Sequence, residues 1–218
     1  IHCFQQFTKV FCFCLFIPDD KYIDRQTAFA LERAYSKLPN EFMKITRLKQ
    51  QPVGGSRHGV IRIHDFYLEK IGSPNGNLTL YDWFRIPEYA FAEATNGEVF
   101  RDDLGIFTDI RNKILQQPED ARKKKLAGHL LMMAQSGQYN YFRCLAHGET
   151  GAAQMALQEF VKHTMCAIFL LNQKYMPFYK WSFRALRNLP VLGKHADDLE
   201  FLISQPNTDQ YVRQKKDL

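Results

Sequence analysis

Residues 149–175 form a strongly apolar run with helical spacing, long enough that any fold containing it must supply a matching apolar surface along most of its length. The wider block 138–190 sets polar and aromatic groups against that run. Asn140, Tyr141, Arg143, Glu149, Tyr175, Tyr179, Lys180, Trp181 and Arg184 all fall inside it. The spacing predicts a helix over 149–175, broken or kinked by Pro177, then a helix over 178–189 stopped by Pro190 and Gly193. A last helix is expected over 194–204, ahead of a polar, frayed tail ending QKKDL.

Other helices are expected upstream, over 78–84, 87–94, 105–115 and 118–135. Pro87 stands at a first-turn position, and Pro118, Glu119 and Asp120 open the last of them against the helix dipole. The beginning of the chain differs. Residues 10–17, VFCFCLFI, are continuously apolar and bounded by Pro18, as in a strand buried on both faces. Asp19 or Asp20 then caps a helix over 21–38, with Pro39 past its end. After a polar stretch over 46–57, residues 59–64 alternate well enough for a second strand, and Asp65 is placed to cap a short helix reaching Lys70. The Gly-, Ser-, Pro- and Asn-rich loop at 72–77 marks the expected boundary. The fold class is therefore α+β and predominantly helical: an α/β segment at 1–75 followed by a helical bundle domain at 76–218.

The chain has 218 residues and a hydrophobic fraction of 45%, enough for a sizeable core. Lys plus Arg exceed Asp plus Glu by 29 to 23, a formal charge of +6 that suits a phosphate-bearing partner. Cys3, Cys12, Cys14, Cys144 and Cys166 are odd in number and lack the CxxC or Cys/His spacing of a zinc site, so free thiols in a reducing cytoplasm are expected. The early apolar run of eight residues is far shorter than the roughly 20 that span a bilayer, and no membrane association is expected. The sequence begins with Ile1 and enters a strand almost at once, which raises the expectation that it is a processed or partial chain.

Several residue sets carry possible chemistry. Lys180 and Arg184 are four apart on one helix and can approach one phosphate together, while Tyr179 and Trp181 beside them can stack a base. Packing of those rings into a bundle, with both cations reaching water, explains the same pattern. Glu159 and His163 are also four apart, so the carboxylate can orient the imidazole for proton transfer or form an ordinary helical ion pair. Arg122 and His129 lie seven apart, a spacing loosely similar to that of helical ribonucleases of the HEPN type, although Arg122 opens the run RKKK that commonly lies on a solvated face. Gly54-Gly55-Ser56 followed by Asp65 invites comparison with nucleotidyltransferases, but Asp65 has no second acid two residues on. The one acid-any-acid triplet, Asp198-Leu199-Glu200, has no Gly-Ser before it and reads as surface charge.

The segments FCLF (13–16), LPNEFM (38–43), RIPE (85–88), TNGEVFRDDLG (95–105), QYNY (138–141), LLN (170–172) and PFYKW (177–181) together resemble a bacterial family known as domain of unknown function 4037. The likeness runs over nearly the whole chain. It implies a polymerase-β-like nucleotidyltransferase domain, here a remnant with a mixed sheet, followed by a helical domain. In that family a Gly-Ser turn and paired acids binding Mg²⁺ precede the segment matching 11–17. Residues 1–9 contain neither Asp nor Glu, so the resemblance implies that the main metal ligands are absent from this chain and that catalysis by it alone is not expected. A third acid on a later strand is also implied, and Asp65 is the nearest candidate for that catalytic position.

On this resemblance the partner is a nucleoside triphosphate, with a small molecule, RNA or protein as acceptor. Arg143, Lys180 and Arg184 would hold phosphates, and Tyr179 or Trp181 would shape the pocket. The reading from another class is a noncatalytic helical module that presents its aromatic and basic face to a protein or RNA.

Overall fold

The computed structural model describes residues 10–11, 14–18, 22–42, 45–47 and 59–217. Residues 1–9, the Gly54-Gly55-Ser56 turn, Cys12, Asp19 and Asp20 lie outside them. The protein is mostly helical, 67%, with a small strand component, which is the expected predominantly helical α+β class. Two compact units divide it, Ile1–Gln117 and Pro118–Leu218. The loop at 72–77, where composition shifts, falls inside the first of these.

In the first unit, β1 (Val10–Phe11), β2 (Cys14–Ile17) and α1 (Arg25–Ser36) lead to β3 (Glu41–Phe42), β4 (Ile45–Arg47) and β5 (Gly59–Arg62). The apolar strand pairs in parallel with β5, Cys14 opposite Gly59 and Ile17 opposite Arg62. Cys14, Phe16 and Ile17 are buried and Leu15 is half-buried, so the second half of the apolar run is a strand covered on both faces, while Val10–Phe11 belongs to a separate strand in another sheet rather than to one strand over 10–17. A second small sheet has the order β1-β4-β3, with β1 parallel to β4 and β3 antiparallel to it. Its two short strands β3 and β4 were not expected, because pieces of two and three residues leave no readable alternation.

Helix α1 starts later than expected. Its cap is Asp24, whose Oδ1 accepts from the Thr27 N–H at 2.7 Å, and not Asp19 or Asp20. Helix α2 (Ile63–Ile71) instead starts earlier: Arg62 is its N-cap residue, and Asp65 sits inside the first turn. Asp65 thus favours the helix through the dipole and does not cap it. Strand β5 ends at Arg62, two residues short of the expected limit, because the chain is already helical at Ile63.

Helices α3 (Leu80–Arg85), α4 (Glu88–Thr95) and α5 (Ile106–Leu115) complete the unit. Thr79 and Asp82 form a reciprocal capping box at the start of α3. Pro87 is the N-cap of α4, one position before the expected first turn. The core gathers aromatic rings from distant elements. Phe107 meets Phe16 and Tyr67 with centroids 4.7 and 5.2 Å away, and the buried Tyr67 hydroxyl donates to the Phe107 carbonyl at 3.2 Å. Trp83 stacks on Phe91 at 4.9 Å.

The second unit opens with α6 (Glu119–Met133), which passes directly into a π-helix, Ala134–Tyr141, and then α7 (Phe142–Ala146). The wider turn was not expected, since π geometry leaves no period in the sequence. Gly137 lies in this turn against Phe160: a Cβ there would stand 2.5 Å from the ring. Helix α8 (Thr150–Leu171) is the long apolar helix, but it ends before Asn172, with Gln173 at φ 54°, and so does not reach Pro177. The stop is a left-handed turn at Gln173, in which the Lys174 N–H folds back to the Phe169 carbonyl at 3.0 Å, and the Asn172 side chain adds a bond to the Ile168 carbonyl at 2.7 Å.

Helix α9 (Tyr179–Leu186), a 3₁₀ turn (Gly193–His195) and α10 (Ala196–Ser204) follow. Leu157, Val161, Met165, Ile168 and Phe169 of α8 meet Tyr141, Leu186, Leu199 and Leu202 in one buried cluster. The tail is not frayed. It forms α11 (Asp209–Asp217), and Lys215, 5% exposed, donates to the Gln205 carbonyl at 2.7 Å and to Asn207 Oδ1 at 2.9 Å. Among the described residues no helix is long and apolar enough to cross a membrane.

Candidate functional site

Two groupings in the second unit bring together residues with chemical potential. The first is on α9. Trp181 is half-buried, and over its indole ring lie the Lys180 ammonium, 5.9 Å from the centroid, and the Arg184 guanidinium, 5.6 Å away. The helical spacing that puts positions 180 and 184 one turn apart therefore does converge two cations on one ring. Tyr179, at the first position of α9, is 74% exposed, with its ring tilted against that of Phe178 at 4.5 Å.

Arg143 is the remaining expected phosphate ligand, and it stands on α7 with a local partner. Its guanidinium lies over the Tyr139 ring at 5.4 Å and also donates to that residue's hydroxyl. Tyr141, two positions on from Tyr139, turns the other way and is buried. Its hydroxyl donates to Asn207 Oδ1 at 3.1 Å, and burial pushes its phenol up.

The second grouping joins α6 to α8. His129 Nδ1 and His163 Nδ1 are 2.7 Å apart, and His163 Nε2 is 3.2 Å from Glu159 Oε2. This order fixes the tautomers. An ionised Glu159 only accepts, so His163 carries its hydrogen on Nε2. When His163 is neutral its Nδ1 is then a lone pair, and His129 must donate from its own Nδ1. Burial is the first cause that lowers both imidazoles. It takes His129 to about 4, with the His163, Lys125 and Lys162 charges acting in the same direction. For His163, Lys162 adds to the lowering and Glu159 opposes it.

The expected spacing of Glu159 and His163 is thus a real contact, although Glu159 also faces Lys162 at 3.3 Å. The pairing of His129 differs from expectation: its recorded partner is His163, 34 residues away, while Arg122 pairs with Glu119 at 3.8 Å. No single-sequence signal sets the register of α6 against α8, which is why this pair was missed. Asp198 and Glu200 are partly exposed and held by His195 and Arg187, in keeping with surface charge.

Asp65 is exposed, and the described residues contain no group of three or more His, Cys, Asp or Glu that could hold a metal ion. They do not assemble a Mg²⁺ site around Asp65. Two surface depressions, lined by Gln26, Phe29, Glu32 and Arg33 and by Asp197, Asp198, Phe201, Gln214 and Asp217, share no residue with either grouping.

The family model described as "Domain of unknown function (DUF4037)" matches residues 83–182, just under half of the chain. The match runs from the end of α3 through α4 to α8, the π-helix included, and takes in the Tyr179–Ser182 start of α9. No curated protein and no solved structure matches the chain.

Proposed function

We propose that this chain is the nucleotide-binding part of a nucleotidyltransferase-related protein and does not by itself carry out nucleotidyl transfer. The observation that carries the reading is the convergence of Lys180 and Arg184 over Trp181. Two cations one helical turn apart suit the oxygens of a polyphosphate, and the indole beneath them limits the conformations they must lose on binding. With cations already over Trp181, the exposed ring of Tyr179 is the better platform for a base.

In this reading the phosphates are held by Lys180 and Arg184, and the base stacks on Tyr179. Trp181 positions the cations and does not touch the base. The residues have no part in bond breaking. Isothermal titration with ATP and Mg²⁺ tests the assignment: the parent chain binds, and the Lys180→Ala, Arg184→Ala double variant loses most of that heat. Equal binding by the two proteins would remove these cations from the site. A salt-sensitive retention of RNA without any heat from ATP would instead support the interaction module.

A further inference from the structure

We infer that the His129–His163 pair is a proton-counting clasp between α6 and α8, closed with no added proton or with one, and opened by the second. The argument is one of hydrogen counting across a 2.7 Å contact. With both rings neutral, His129 Nδ1–H donates to His163 Nδ1 and Glu159 accepts from His163 Nε2. One added proton is tolerated. It goes to His163, whose two N–H groups then donate to Glu159 and to His129, while the His129 hydrogen moves to Nε2 through solvent exchange. The imidazolium lies beside the carboxylate, and the contact between the rings survives with its direction reversed.

A second proton cannot be accommodated. Both Nδ1 atoms would carry hydrogen, neither could accept, and two like charges would face each other across the contact. The surrounding charges reinforce this limit. Lys125 on α6 and Lys162 on α8 both oppose charge on His129, Glu159 alone favours it on His163, and the π-helix, AQSGQYNY, brings only neutral polar groups and two tyrosines. The consequence is local. Phe160, one turn before His163, is the ring on which Gly137 of the π-helix rests, so parting α6 from α8 removes the support of the widest turn in the unit.

The test is nitrogen-detected NMR of the histidine rings in the full chain from pH 7.5 to 3.5, with hydrogen-exchange protection of residues 134–141 followed in parallel and corrected for intrinsic rates. The expected result is sequential: His163 titrates first with protection unchanged, then His129 titrates near pH 4 with loss of protection in the π-helix. His129→Gln, which keeps an amide donor but cannot take a proton, retains protection at pH 4, and His163→Gln does the same. If both rings titrate independently near 6.5, or protection falls equally in parent and variants, the clasp is overturned.

Discussion

Asn172 holds the backbone of Val191 from both sides. Its Nδ2 donates to the Val191 carbonyl at 2.9 Å, and its Oδ1 accepts from the Val191 N–H at 3.0 Å. The same amide also donates to the Ile168 carbonyl, so one side chain fastens the segment after α9 to the end of α8. Replacing it with Ala leaves the Val191 N–H and C=O to water, while the Ile168 carbonyl keeps the backbone N–H of position 172. The segment is exposed at Val191, so the cost is moderate, about 1–2 kcal/mol in urea unfolding. Asn172→Asp keeps the acceptor and loses both donors, and is expected to be no better than Ala.

Gly137 brings the backbone of the π-helix against the Phe160 ring of α8. Gly137→Ala would drive a methyl group into Phe160 and is expected to destabilise by about 1–3 kcal/mol. Adding Phe160→Leu should recover part of that loss. A double-mutant cycle with additive losses would show that the two positions do not share a contact.

The imidazoles set a pH dependence with a definite sign. His129 is lowered from 6.5 to about 4, so folding favours its neutral form. Its contribution is complete above pH 6.5 and is lost as pH falls from 6.5 towards 4, below which it stays constant. Allowing for the partial exposure of the ring, the loss is about 1–2 kcal/mol. Urea titrations of the parent and of His129→Gln at pH 7 and pH 4.5 measure it, and the variant should show the smaller drop.

Lys215 is buried against two neutral acceptors, and burial lowers its ammonium. Its charged form is therefore held at a cost below its folded value, and stability rises as pH climbs from there towards the ordinary lysine range. Lys215→Met keeps the apolar stem in place, so it should cost less than about 1 kcal/mol, while Lys215→Ala costs more through lost packing. Thermal melts at pH 8 and pH 10 would show the alkaline gain in the parent and not in the Met variant.

If Tyr179 carries the base, Tyr179→Ala should weaken ATP binding by about 1–3 kcal/mol while leaving inorganic triphosphate binding unchanged. The Trp181→Phe variant should lower both equally, since it acts through the cations. Calorimetry with the two ligands separates the roles.

The sequence by itself determined the elements whose side chains repeat with a period. The core stripe of α8 and the placing of 180 and 184 on one turn follow from spacing alone, because local geometry carries them, and the unbroken apolar run 10–17 announced a buried strand although not its division at 11 and 14. Local signals also fixed most helix starts to within a few residues, and failed where a nearer signal acted first. A left-handed turn at Gln173 ends α8 ahead of Pro177, and Asp24 starts α1 after Asp19 and Asp20. Only the tertiary structure decided which helices face each other, and so which residues meet. His129 and His163 are 34 positions apart, and Tyr141, Asn207 and Lys215 join three separate segments. A polar side chain gains or loses free energy according to the burial and partners it finally receives, and neither is a property of its neighbours in the chain.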